Sequence, residues 1–296
     1  MTIKEKMEQF ADRLYFDTVG SYQVMAVESI CDGRDTFFVS SSSCEKSEIV
    51  LYAALLNEKR PIVVIEPTIS LINLQMYNVK FLEEPYKATS LTECNREDHN
   101  ELLKKFKNHK FNVLYVTPDR LKEKYFRKAM EEIEPWLVVV NEAHLVQEDW
   151  GKRFRSPYLE IKKFINSLSH RPTMLAMTGT APPTDRKDIW DNLGLIDPKE
   201  IILSVDNSTV SVIVENHSNY VSKTKKARQE YLLECVKKNI EKYGGKGVIV
   251  YALTPHDVET IADYLDVRFI GEVTMSHGDM EKEERTINEE LFLMDK

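Results

Sequence analysis

The chain alternates short apolar runs with longer stretches in which apolar residues recur at helical spacing. Five runs stand out: "DTFFVS" (35–40), "PIVVIEP" (61–67), "NVLYVT" (112–117), "WLVVV" (136–140) and "TMLAMT" (173–178). None shows the inside–outside alternation of a strand with one wet face. Between them, 46–57, 68–80, 97–108, 118–132 and 157–168 read as helices. Unalternating strands separated by helices predict an α/β domain whose parallel sheet is covered on both faces. Its ligands should sit at the C-terminal ends of the strands. The rhythm changes after "DNLGLIDPKE" (191–200). A strand-like run, "VSVIVEN" (210–216), leads into a polar linker, and the βα pattern restarts with "GKGVIVYA" (245–252), a helix over 255–265 and one more βα unit. Two domains follow, 1–205 and 206–296, the second too short for a complete sheet of its own.

Composition narrows the class without naming the chemistry. With 42% hydrophobic and 30% charged residues, the chain has enough apolar matter for a core and is not a disordered tail. No run reaches the roughly 18 apolar residues of a membrane span, and the N-terminus lacks the apolar centre of a secretory signal. An intracellular protein is expected, nuclear in a eukaryote and cytoplasmic in a bacterium. Cys31, Cys44, Cys94 and Cys235 are scattered without a CxxC pair, which points to reduced thiols rather than a zinc site or disulfides. "NST" (207–209) is a glycosylation sequon in form only. The net charge of −8 argues against nucleic-acid binding over the whole surface, but basic clusters at 104–110, 151–158 and 222–228 oppose that average locally. Each such cluster is more often a solvated face than a binding site.

Three segments carry candidate chemistry. "SSSSCEKS" (40–47) lies between a strand and a helix and ends in Lys46-Ser47, as a phosphate loop GxxxxGK[ST] does. Ser40 and Glu45 occupy its glycine positions. By itself the segment also reads as a serine-rich turn. "WLVVVNEAH" (136–144) is an apolar strand ending in residues suited to a metal and a catalytic base. Glu142 is placed to polarise an attacking water and His144 to report nucleotide state. Asn141 stands where an acid would hold the metal. "AMTGTAPP" (176–183) is a strand-to-helix turn that gains meaning one βα unit later.

Taken in order, these segments resemble superfamily 2 helicases, and more narrowly the RecQ family. "YQVMAVESICDGRD" (22–35) resembles the Q-motif segment, with Gln23 placed to read adenine. "IVVIEPTISLINLQ" (62–75) resembles motif Ia and "LYVTPDRL" (114–121) motif Ib. "NEAHLVQEDWGKRFRSPYLEI" (141–161) resembles motif II with the aromatic-rich loop of RecQ proteins, through Trp150, Gly151, Phe154, Arg155, Pro157 and Tyr158. "TGTAPPTDRKDIWDNLGL" (178–195) resembles motif III, and 247–265 and 275–292 resemble motif IV and the His-Gly segment of a second domain. The resemblance covers about residues 14–296. It implies a RecA-like parallel-sheet domain followed by a second, incomplete RecA-like domain, without motifs V and VI and their arginine finger. It also implies an ATP-dependent 3′–5′ DNA helicase acting in repair or recombination on single-stranded or forked DNA. Gln23, Ser43, Cys44, Glu45, Lys46 and Ser47 would bind ATP, Ser47 and Asn141 would hold Mg²⁺, and Lys46, Glu142 and His144 would serve catalysis. Pro67, Ser70, Thr117, Arg120, Trp150, Arg153, Phe154 and Arg155 would meet DNA, the aromatic residues by stacking and the basic ones at phosphates.

The departures bear on turnover. Ser43, Cys44 and Glu45 stand where the family has glycines, and Glu45 brings a carboxylate towards phosphate oxygens. Asn141 supplies no charge. Loss of one transition-state donor costs about 100-fold in rate. Impaired hydrolysis is therefore expected, with a non-hydrolysing module that binds nucleic acid or protein as the alternative.

Overall fold

The computed structural model describes residues 1–14, 18–40, 43–79, 86–92, 96–147, 157–203, 211, 213–214, 225–243 and 247–293. At 13–14, 43–45, 96–97, 225, 228–229, 243, 282, 289 and 293 it describes the backbone alone. Contacts divide the chain into two units, Met1–Val210 and Ser211–Lys296.

The first unit is built on a seven-stranded, wholly parallel sheet. Its strands are β1 (Thr36–Val39), β2 (Ile62–Ile65), β3 (Ala88–Leu91), β4 (Val113–Val116), β5 (Leu137–Val140), β6 (Thr173–Thr178) and β7 (Lys199–Ile202), in the spatial order β3-β4-β2-β5-β6-β1-β7. The interior strands explain the missing alternation. Ile62, Val64, Val113, Val139 and Leu175 enter one apolar cluster, and Val63, Ile65, Leu114, Val138 and Met174 enter another. Since β2, β4 and β5 are buried at every position, each must be apolar throughout. Helices α1 (Ile3–Leu14), α2 (Ser21–Cys31) and α3 (Ser43–Leu56) cover the first face, where Ile49, Tyr52 and Ala53 of α3 are fully buried.

Two strands were not evident in the sequence pattern. β3 and β7 are the sheet edges, each with one ladder and partly exposed faces, so "ATSL" and "KEII" need little apolar content. The helix expected over 118–132 is broken in two. A 3₁₀ turn (Pro118–Lys122) gives way at Glu123, which is extended at φ −77° and ψ 125°, before α6 (Lys124–Ile133); α4 (Ile69–Val79) and α5 (Arg96–Lys107) precede it and α7 (Leu159–Ile165) follows. The expected basic cluster at 104–110 is partly neutralised, with Lys105 paired to Glu101 and Lys107 to Glu132.

The second unit departs further from expectation. Its elements are α9 (Lys225–Tyr243), α10 (Pro255–Asp266) and α11 (Lys282–Leu293), the last helix of the first unit being α8 (Arg186–Leu193). Among its described residues there is no strand. The expected strand at 245–252 has no ladder over 247–252, and Val248, Ile249, Val250 and Tyr251 are exposed. An apolar run gains strand hydrogen bonds only beside a second strand, and no such neighbour occurs among the described residues. Residues 211, 213 and 214 of the other expected strand are likewise irregular, and its remainder lies outside the described residues.

Candidate active site

Ser40, Glu66, Thr117, Asn141 and Gly179 each follow the last residue of a parallel strand, so their side chains or backbones gather along one edge of the sheet. The ladder continues one residue beyond the strands: Ser40 N–H donates to the Thr178 carbonyl (3.1 Å), Glu66 N–H to Val116 (2.9 Å) and Asn141 N–H to Ile65 (3.0 Å). This edge is where an α/β sheet receives a ligand.

Ser43, Cys44 and Glu45 form the first turn of α3, so its amide-bearing N-terminus follows β1 closely. Their side chains are not described. Lys46 is buried, and Ser47 half-buried, one turn along. A Cβ placed at Gly179 would stand 3.7 Å from Lys46 Nζ and 3.8 Å from the Ser40 carbonyl. Both are ordinary van der Waals distances, so Gly179 lies directly beside the Lys46 ammonium at the sheet edge. Gln23 is buried in the first turn of α2. Its carbonyl accepts the Gly20 N–H (2.8 Å) and its amide donates to Glu48 of α3 (2.6 Å), so it ties α2 to the helix that carries Lys46.

Glu142 occupies the left-handed region at φ 48° and ψ 47°, uncommon for a residue with a side chain. His144 Nδ1 lies 3.4 Å from the Glu142 carboxylate and 2.8 Å from the Thr178 hydroxyl. That hydroxyl donates to the Thr180 carbonyl (3.1 Å), so it accepts from a protonated His144 Nδ1. Burial lowers the His144 pKa, against the pull of Glu142 and helped by Lys46, which favours the neutral ring. Two motifs separated in sequence are thereby joined: β5's end to β6's end.

Asn141 Nδ2 donates to both oxygens of Glu66, at 3.1 and 2.9 Å. Its Oδ1 is buried without a hydrogen-bond partner. Its main-chain carbonyl accepts the Tyr158 hydroxyl at 2.8 Å. Glu66 is only 2% exposed. Burial pushes its carboxyl pKa up to about 7; Asn141 and Lys46 pull it down and Glu142 pushes it up. Glu66 and the Tyr158 hydroxyl went unnoticed in the sequence, although an acid closing an apolar strand in a parallel sheet was a usable signal.

The raised pKa has a defined sign. Between pH 4.5, the ordinary value, and about 7, the folded chain keeps a proton that the unfolded chain releases, so stability falls as pH rises through that window. In protein free of metal and nucleotide, Glu66→Gln is expected to raise stability at pH 8 by on the order of 3 kcal/mol, with the gain vanishing near pH 4.5. Urea denaturation at the two pH values checks this. An equal gain at both would show that the carboxylate is not under electrostatic load.

These residues fit a magnesium nucleotide. A partnerless buried oxygen on Asn141 and a buried carboxylate on Glu66 are acceptors short of a cation. No cluster of three His, Cys, Asp or Glu side chains that could hold a metal occurs among the described residues. A Mg²⁺ here would depend on nucleotide and water for its remaining ligands, as this ion ordinarily does.

The nucleic-acid candidates divide. Pro67 and Ser70, after β2, and Thr117 and Arg120, after β4, stand beyond the ends of neighbouring strands, and Ser70 is exposed. The Arg120 guanidinium donates to Glu123 (3.0 Å) and to the Thr92 carbonyl (2.9 Å), so it ties the turn after β4 to the loop after β3. Trp150, Arg153, Phe154 and Arg155 lie outside the described residues, as does all of the 151–158 cluster except Pro157 and Tyr158.

Comparison with known proteins gives the family and the fold. The family model for DEAD/DEAH box helicases matches residues 21–189, more than half the chain. The probable ATP-dependent DNA helicase RecS of Bacillus subtilis (strain 168) is 25% identical over 267 residues, covering 90% of this chain and 51% of the relative. The ATP-dependent DNA helicase RecQ of the same organism is 26% identical over 286 residues, covering 94% of this chain and 46% of the relative. The chain therefore spans about half the length of these relatives. Among solved structures, the DUF1998 helicase MrfA bound to DNA superposes with a TM-score of 0.70 at 15% identity, covering 98% of this chain and 43% of the other. At that identity the likeness concerns the fold, which is RecA-like. No helix among the described residues is long and apolar enough to cross a membrane.

Proposed function

The chain belongs to the DEAD/DEAH box helicase family, with a RecQ-like core, and from that footing we propose that it is the ATP-binding core of a 3′–5′ DNA helicase with slow hydrolysis. The observation that carries the reading is the convergence of Lys46, Glu142, His144 and Thr178 on the strand ends. Lys46 lies beside Gly179, and His144 bridges Glu142 to the Thr178 hydroxyl. Lys46 would hold the nucleotide's terminal phosphates from below while the first amides of α3 face them. Glu142 would orient the attacking water and accept its proton. Neutral His144 would hold Glu142 and the Thr178–Thr180 turn in one arrangement, so that a shift at either is felt by the other. Magnesium would neutralise the phosphates' developing charge. Pro67, Ser70 and Thr117 would meet the backbone of single-stranded or forked DNA, which makes binding indifferent to sequence, and Trp150 and Phe154 would stack on bases.

Slow hydrolysis follows from Glu45. A carboxylate in the first turn of α3 opposes phosphate where glycine would admit it. A second reading, a module that binds without hydrolysing, is favoured by Asn141, whose amide brings no charge to the metal. The test combines three measurements on the full chain: ATP binding, DNA-stimulated ATP hydrolysis, and binding to single-stranded and forked DNA across a salt series. ATP and DNA should both bind, DNA binding should weaken with salt, and Lys46→Ala should abolish ATP binding. ATP binding indifferent to Lys46→Ala sinks the reading. Measurable hydrolysis that DNA stimulates and Lys46→Ala removes favours the slow motor over the inert module.

A further inference from the structure

We propose that Glu66 holds the divalent cation of the nucleotide site in the place that Asn141, lacking a charge, cannot fill. This rests on the reading that the strand ends bind a magnesium nucleotide. The parallel register of β2 and β5, with Ile65 opposite Val140, sets Glu66 and Asn141 side by side just past the strand ends. The contact between them is specific: one amide nitrogen donates to both carboxylate oxygens. It also fixes the sense of the amide, since turning it over would bring its carbonyl oxygen against the carboxylate. Asn141 Oδ1 is therefore aimed away from Glu66, and it finds no partner.

Lys46 attracts Glu66 through space but does not pair with it. No Lys or Arg among the described residues forms an ion pair with it, although it is 2% exposed. A carboxylate left in that state is costly, and such groups are normally paired or bound to metal. Together the two side chains present one negative charge and one free amide oxygen. That is the charge of a single acid, displaced by one strand, or about 4.8 Å. Asn141 acts as a positioning residue that aims Glu66 and adds Oδ1 as a second oxygen. A cation with one carboxylate, one amide oxygen, phosphate oxygens and water is an ordinary magnesium environment.

The test compares the native chain with Glu66→Gln, Asn141→Asp and the exchange Glu66→Gln/Asn141→Asp. The readouts are binding of a fluorescent ADP in Mg²⁺ and in EDTA, and the electron paramagnetic resonance spectrum of Mn²⁺ added to each ADP complex. In the native chain, Mg²⁺ should tighten ADP binding. Glu66→Gln should lose that tightening, by about tenfold or more, and leave binding in EDTA undiminished. The exchange should regain both the tightening and the bound-Mn²⁺ signal. Full Mg²⁺ tightening in Glu66→Gln overturns the proposal, as does an exchange variant that melts like the native chain but regains nothing. A native chain that binds ADP in neither Mg²⁺ nor EDTA overturns the nucleotide reading itself, and that result is visible in the native arm alone.

Discussion

Replacing Asp35 by alanine is expected to lower the stability of the parallel-sheet unit by about 3–5 kcal/mol. Asp35 stands just before β1, and its side chain is 2% exposed. One oxygen accepts the Met174 N–H (2.9 Å) and an Arg171 nitrogen (3.1 Å). The other accepts the Ile196 N–H (2.8 Å) and the second Arg171 nitrogen. One carboxylate therefore joins the start of β1, the start of β6 and the turn before β7. Its removal leaves two main-chain donors without their acceptor and takes the buried carboxylate from Arg171, which keeps only the Pro172 and Gly194 carbonyls, and a pair is most damaging when one member alone is lost. All three tryptophans fall within Met1–Val210, so their fluorescence follows this unit during urea denaturation. The midpoint should fall with an unchanged slope. A loss below about 1 kcal/mol would show that Arg171 and the two amides find other partners.

The second large effect concerns turnover. Cys44→Gly with Glu45→Gly is expected to raise DNA-stimulated ATP hydrolysis by about 100-fold, the scale on which a single well-placed donor acts. The change puts glycine, which lets phosphate approach closely, at two positions of the first turn of α3 and removes one negative charge from that turn. The Asn141→Asp change must not be added alone. It would set a second carboxylate against the buried one of Glu66, which the Asn141 amide now contacts at 2.9 Å. Two like charges at that distance raise one pKa and destabilise the pair. In the glycine background, Asn141→Asp should therefore help only with Glu66→Gln beside it. If the glycine pair leaves hydrolysis unchanged while ATP still binds, the defect lies elsewhere than in the loop.

How much was legible depended on where the information sits. β2, β4 and β5 are covered on both faces, so their composition alone declared them. β3 and β7 are edges, where four polar or mixed residues suffice once a neighbour supplies the ladder. The run 247–252 has the composition of a strand, yet it is exposed and unladdered, because composition cannot supply a neighbour. In the site, Lys46, Glu142 and His144 were readable from motif order. Glu66 was not, because its meaning comes from Asn141, 75 residues away and one strand over. The bond from Arg120 to the Thr92 carbonyl was hidden for the same reason: Thr92 lies 28 residues away, in the loop after β3.

Glu142, held in left-handed backbone geometry, has a consequence for anyone improving this chain. Glycine there would relax a conformation that costs an ordinary residue about 1–2 kcal/mol, and neutral Glu66 variants fold more readily above pH 7. A library selected for heat resistance would therefore gather substitutions at these two positions early. A mutational map scored on solubility or melting would mark both as freely replaceable. Robustness and the proposed reaction pull in opposite directions here, and only a screen that also demands magnesium-dependent nucleotide binding and hydrolysis would keep both carboxylates.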